Sequence, residues 1–271
     1  MPPPTIALVV FDWAGTIIDF GSQAPVAAFV QVFAERGVRV SLAEARKPMG
    51  LHKRDHLLQM LNEESISARW RQVHGADWTM ADAQAMYERL VPVQLATIAS
   101  NGELVPGLLE SVAYLRDRGI KVAGTTGYFR SAAEAVLAAA ARQGFVPDAN
   151  CCGDDVPVGR PAPWMIYQVM QQLNIYPAWR VVKIGDTVVD IEEGRNAGCW
   201  SVGVISSSSE MGLTLAEYEA LSQEERQARH QAVIDRFQAA QAHVAIESLS
   251  EIPELIEQLE SQLEDGEMPV C

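Results

Sequence analysis

The chain has 271 residues and a mass of 29.6 kDa, room for one large domain or one domain carrying an insert. Its 35 acidic and 21 basic residues give a formal charge of −14, which excludes a nucleic-acid binder needing a basic face. With 48% hydrophobic and 21% charged residues, and no apolar run long enough to span a bilayer, the chain reads as globular and not membrane-bound.

Met1–Thr5 has no basic leader segment, and Cys151, Cys152, Cys199 and Cys271 form no CxxC pair, so a reduced, cytoplasmic protein is expected. The first strand signal is Ile6-Ala7-Leu8-Val9-Val10-Phe11, apolar throughout and ended by Asp12. Such a run suits a strand buried on both faces of a parallel sheet. Residues 21–101 then lose all strand character. Helices are predicted over Pro25 to Gly37, Leu51 to Leu61 and Met80 to Ser100, and Ser41 with Glu44 forms a capping box.

Alternation resumes at Pro106. Helices are predicted over Gly107 to Arg118, Ser131 to Gln143, Pro163 to Leu173, Ile191 to Ala197, Leu215 to Ala242 and Ile252 to Leu263. Strands are predicted at Ile120 to Gly124, Val181 to Ile184, Trp200 to Val204 and Val244 to Ile246. The Ser206–Ser209 run reads as loop. The expected fold class is α/β, a Rossmann-like parallel sheet with helices on both faces and an inserted all-helical cap. Residues 1–20 and 102–271 make the core and residues 21–101 the cap.

Three predicted strand ends carry polar chemistry: Asp12, Thr126, and Asp186 with Asp190. Ligands bind outside the carboxyl ends of open parallel sheets. Carboxylates gathered there repel unless a cation sits between them, and oxygen ligands beside phosphate suit Mg²⁺. A carboxylate can also attack phosphorus. Thr126, Arg160 and backbone N–H groups would then hold the phosphoryl oxygens.

Four motifs in order carry a family resemblance: Asp12-Trp13-Ala14-Gly15-Thr16, Thr125-Thr126-Gly127, Arg160-Pro161-Ala162-Pro163 and Gly185-Asp186-Thr187-Val188-Val189-Asp190. The chain resembles the haloacid dehalogenase superfamily. The resemblance implies Asp12 as nucleophile, Thr126 and Gly127 at the phosphate, Arg160 as the cation, and Asp186 with Asp190 near Mg²⁺. Phosphatases of that superfamily carry a second Asp two residues after the nucleophile, which protonates the leaving alkoxide. Here Ala14 takes its place, keeping a backbone carbonyl for the metal but no acid, a loss of roughly 10²–10⁴-fold for ester hydrolysis.

The cap segment Arg46-Lys47-Pro48-Met49-Gly50-Leu51-His52-Lys53-Arg54-Asp55-His56 offers a different chemistry. Lys53 and His56 are spaced to share one helix face, and a Lys beside Arg54 or a protonated His56 can lose its proton and attack a carbonyl. His52 is expected to face away. With the Thr-Thr-Gly-Tyr and Glu-Gly-Arg-Asn-Ala-Gly runs, this segment resembles the phosphonoacetaldehyde hydrolase (phosphonatase) branch of the superfamily. The resemblance implies a Schiff base on Lys53, substrate contacts from Met49, His56 and Tyr128, a homodimer, and a place in 2-aminoethylphosphonate degradation. An iminium would accept the electrons of the P–C bond, which explains why no acid stands at position 14. The rival expectations are a 2-haloacid dehalogenase, which needs neither the acidic pair nor Lys53, and a phosphate-ester phosphatase, which Ala14 disfavours. Val26, Phe29, Val30 and Phe33 form an apolar face for either a dimer contact or internal packing. Lys47, Lys53, Arg54 and Arg160 are the cations expected to face an anionic substrate.

Overall fold

The computed structural model describes residues 6–269; the leader reading of Met1–Thr5 and Cys271 lie outside the described residues. Six strands form one sheet: β1 (Leu8–Phe11), β2 (Lys121–Thr126), β3 (Ala149–Cys152), β4 (Val181–Gly185), β5 (Trp200–Val204) and β6 (Val244–Ile246). They are all parallel, in the order β3-β2-β1-β4-β5-β6. The order reverses at β1, whose carboxyl end opens between β2 and β4. A ligand crevice is expected at that point.

Between β1 and β2 the chain is helical: α1 (Gln23–Glu35), α2 (Leu42–Arg46), α3 (Lys53–Asn62), α4 (Glu64–His74) and α5 (Met80–Ser100). These helices build their own apolar core from Val26, Phe29, Phe33, Leu57, Met60 and Trp70, among others. Each such side chain contributes roughly 1.5–3 kcal/mol on burial. Val26, Phe29 and Phe33 are buried there and Val30 packs against it, so this face is used inside the chain.

Beyond β2 come α6 (Leu108–Asp117), α7 (Arg130–Arg142), α8 (Trp164–Gln172), α9 (Val188–Asn196), α10 (Leu215–Glu219), α11 (Gln223–Ala239) and α12 (Ile252–Glu264). Successive strand residues point to opposite faces. Val9, Phe11, Val182 and Ile184 meet α6, α7 and α12 on one side. Leu8, Val10 and Val181 meet α8 on the other. The expected α/β class, with helices on both faces and a helical insert, is the observed architecture.

Several local expectations need correction. The edge strand β3 was unrecognised because Ala149-Asn150-Cys151-Cys152 carries neither a β-branched nor an aromatic residue. Helix α4 is mostly polar, and only Ile66 and Trp70, four residues apart, are buried, while its Val73 is exposed. The single helix expected over Leu215 to Ala242 is two, because Ser222 caps α11 in a capping box with Glu225. Helix α3 starts at Lys53, since His52 Nδ1 accepts from the Arg54 N–H as its cap. Helix α9 starts three residues before Ile191, where Thr187 and Asp190 form a further capping box.

Candidate active site

Each strand end at the crevice delivers one reactive side chain. Asp12 follows β1, and its N–H donates to Ile184 O of β4 at 2.9 Å, which carries the pairing of the two strands one residue further. Thr126 ends β2, and Asp186 follows β4. Oxygens of Asp12, Asp186 and Asp190 lie within 4.8 Å of one another, all buried. Gly15 sits at φ +84°, and a Cβ there would lie 2.2 Å from Asp186 Oδ2, so only glycine lets the two loops meet.

Three carboxylates at this spacing oppose one another. Burial pushes Asp12 above the usual carboxyl range despite Arg160 beside it. Burial, with the Asp12 and Asp190 charges, pushes Asp186 well above that range. Asp186 Oδ2 accepts from Ser209 N–H at 2.8 Å, while its buried Oδ1 has no hydrogen-bond partner. An unsatisfied carboxylate oxygen amid further oxygens is a donor set that fits a hard divalent cation. Asp190 is already engaged: Oδ2 accepts from the Thr187 hydroxyl at 2.6 Å, and Oδ1 pairs with Lys183 at 2.9 Å and Arg160 at 3.0 Å. Although burial favours its neutral form, those two cations hold its carboxyl below the usual range.

Arg160 is wholly buried and pairs with Asp12 Oδ1 at 2.7 Å and with Glu193 Oε2 at 2.9 Å. Its Nη2 also donates to Thr125 O at 2.8 Å. Lys183 shares this network, reaching Glu193 at 3.2 Å and the Thr125 hydroxyl at 2.9 Å.

Lys53 enters from the helical insert as the first residue of α3. Its N–H donates to Gly127 O at 3.2 Å, and its Nζ lies 5.0 Å from the Tyr128 ring centroid. Burial pushes its amine down to about 8, against the opposing pull of Asp12. Lys53, Met49, Gly50, Ser22 and Pro25 from the insert face Asp12, Ala14, Thr126, Gly127, Tyr128, Arg160 and Asp186 across one small cavity. Tyr128 is fully buried with an unpartnered hydroxyl.

The other predicted residues lie elsewhere. His56 is stacked on Phe29 at 3.8 Å, with its Nε2 against Ala45 O at 2.9 Å, and it does not line the cavity. Burial, with the Lys53 charge, holds it well below the ordinary histidine range, so it is not the cationic neighbour expected. Lys47 pairs with Glu63 at 3.0 Å on the surface, and Arg54 is exposed. Neither faces the site. His52 turns to Asp154 at 3.0 Å, as its outward placement anticipates. Trp13 packs beneath the site, donating to Asn150 Oδ1 at 2.8 Å.

Some functional residues escaped the sequence reading. Lys183 interrupts the otherwise apolar run of β4, and a charge in a strand buried on both faces demands carboxylate partners. That was its available signal. The Ser206–Ser209 run is buried, and besides Ser209 on Asp186 it sends the Ser207 hydroxyl to Gly15 O at 2.7 Å. Asp19 accepts from the Gln23 and Ala24 N–H groups at the start of α1, and burial lifts its carboxyl to about 7.

Known proteins match this chain in sequence and fold. A haloacid dehalogenase-like hydrolase model matches residues 6–198. The phosphonoacetaldehyde hydrolase of Syntrophobacter fumaroxidans is 44% identical over 97% of this chain and 95% of that protein. The one from Bacillus cytotoxicus is 45% identical over 95% of this chain and 97% of that protein. The crystal structure of a phosphonoacetaldehyde hydrolase-like protein from Oleispira antarctica superposes with a TM-score of 0.96 at 37% identity, over 98% of this chain and 97% of its own. A β-phosphoglucomutase from Clostridium difficile, 15% identical with a TM-score of 0.70, shares the fold alone. On both sequence and structure, the chain belongs to the phosphonoacetaldehyde hydrolase family of haloacid dehalogenase-like hydrolases.

Proposed function

We propose that this hydrolase cleaves the P–C bond of phosphonoacetaldehyde, giving acetaldehyde and phosphate, with residues 21–101 acting as a cap over a core of residues 1–20 and 102–271. The observation that carries the proposal is Lys53: a buried amine of lowered basicity in the same enclosed cavity as Asp12. An amine that is partly neutral near pH 7–8 adds to an aldehyde carbonyl, and loss of water leaves an iminium.

Asp12 then attacks phosphorus. The P–C electron pair moves into the iminium, giving an enamine on Lys53 and a phosphoryl group on Asp12. The enamine takes a proton at carbon. Water hydrolyses the imine to acetaldehyde, and water hydrolyses the acyl phosphate. One water is released and two are consumed, so the net reaction uses one. Thr126, Gly127 and Arg160 neutralise and orient the phosphoryl oxygens, while Met49 and Tyr128 shape the aldehyde side. Asp12, the Ala14 carbonyl and Asp186 would hold Mg²⁺, with Asp190 behind them, and that ion supplies charge neutralisation for a dianionic phosphonate. His56, set back from the cavity, takes no step. Ala14 fits because the leaving carbon needs an electron sink and not an acid.

Borohydride trapping with phosphonoacetaldehyde, followed by peptide mapping, tests this directly. Label on Lys53 is expected, and Lys53→Arg, which keeps the charge, abolishes acetaldehyde release. Turnover without label on Lys53 overturns the imine, and turnover that survives a metal chelator overturns the role of Mg²⁺. The family resemblance also supports a homodimer and a place in 2-aminoethylphosphonate degradation, and the cysteine usage supports a cytoplasmic location. Because the Val26–Phe33 face is used internally, a dimer contact lies on another surface. Sedimentation at twice the monomer mass is expected, and a monomer at assay concentration refutes the dimer.

A further inference from the structure

Arg46 ends α2, seven residues before Lys53, and its guanidinium bridges the start of the insert and the loop after β5. Nη1 donates to Gly21 O at 2.6 Å, with Ser209 Oγ at 3.3 Å and Ser22 O at 3.5 Å. Nη2 donates to Gln23 Oε1 and to Gly212 O, both at 3.2 Å. Three of these acceptors belong to the segment where the chain crosses from β1 into α1. The other two belong to the loop after β5. All five are neutral, so each bond is strengthened by the Arg charge, while Asp186, Asp19 and Glu210 act on that charge without bonding to it. The same Ser209 gives its N–H to Asp186 Oδ2 at 2.8 Å.

The segment from Arg46 to Lys53 transmits position. Met49 N–H donates to Arg46 O at 2.9 Å, and Leu51 N–H donates to Pro48 O at 3.4 Å, so the intervening residues form consecutive tight turns. A guanidinium fixed against the core loop therefore fixes where Lys53 stands over Asp12. Arg46 does not line the substrate cavity.

We propose that Arg46 is a positioning residue for amine delivery. It latches the cap segment to the Ser209–Gly212 loop, and the site presents Lys53 to the aldehyde only while that latch is made. The inference rests on the imine reading above. A small misplacement of a reacting group costs on the order of 10²-fold.

The test is the rate at which borohydride traps Lys53 in the full chain. Arg46→Ala is expected to trap roughly 10–100-fold more slowly than the parent protein, and Arg46→Lys, which retains the charge but fewer of the bonds, to fall between them. Millimolar guanidinium restores trapping in Arg46→Ala, and sodium chloride at equal ionic strength does not. Thermal melting checks that each variant is folded, and if Arg46→Ala is not, Arg46→Lys decides. Trapping at the parent rate by the folded variant overturns the latch, as does failure of guanidinium to restore Arg46→Ala. An unlabelled parent protein instead overturns the imine reading.

Discussion

At the scale of single residues, the proposed chemistry rests on one lysine held out of water. Lys53 is 4% exposed, and burial lowers its amine from 10.5 to about 8. The sequence suggested neighbouring cations as the cause, but Arg54 faces solvent and the buried His56 is held neutral. The sign of the pH effect follows. Below the pKa the protonated amine has no lone pair to attack a carbonyl, and above it the lone pair is available. Lys53 trapping by cyanoborohydride is thus expected to rise with pH and reach half its maximum near 8. A midpoint near the free-lysine value of 10.5 would show that the cavity does not tune the amine. Asp12, Thr126, Asp186 and Lys53 were legible because each is a polar residue at a strand end or in an unusual motif. Lys183 and Arg46 were not, since what defines them is a partner far away in the chain.

Among the elements, β4 and α9 do the most to hold the site. Asp190 closes the first turn of α9 by capping Thr187 with one oxygen, and offers the other to Lys183 and Arg160. Glu193, one turn on, meets the same two cations. Lys183→Met removes one charge from this buried set and strips the Thr125 hydroxyl of a donor. It is expected to cost about 3–5 kcal/mol, because removing one partner leaves buried carboxylates unmatched. Urea unfolding measures it; a change below about 1 kcal/mol, the scale of an exposed pair, would mean the network is open to solvent. The Ser206–Ser209 run reads from sequence only as loop, because the sequence cannot show which backbone N–H a loop will aim at a carboxylate. Helix α4 and strand β3 escaped for the opposite reason: their own residues carry weak propensity, and neighbours decide their conformation.

Over the whole molecule, the decisive feature is the seam between insert and core. Gly127 marks how close the two come. A Cβ there would lie 2.4 Å from Leu51 O, against the backbone that leads into Lys53. Gly127→Ala is expected to leave the sheet folded and lower turnover by roughly 10²-fold, the cost of holding the amine off its substrate. Steady-state kinetics with circular dichroism checks both halves, and near-normal turnover would show that the seam yields freely. The overall parallel sheet and helical insert were legible because long alternation of strand and helix leaves few topologies. The seam was not, because it is made of backbone carbonyls and glycines. The −14 charge likewise says little about the site, where Lys53, Arg160 and Lys183 stand among the acids.

That buried set has a consequence for descent. Arg160 and Lys183 are matched against Asp12, Asp190 and Glu193, and each cation touches more than one acid. Two cations face three acids, so a neutral replacement of either cation leaves buried carboxylates unmatched, whereas loss of a single acid does not widen the imbalance. Working relatives are therefore expected to keep a cation at both positions, and a neutral residue at either one would mark a protein that has left this chemistry.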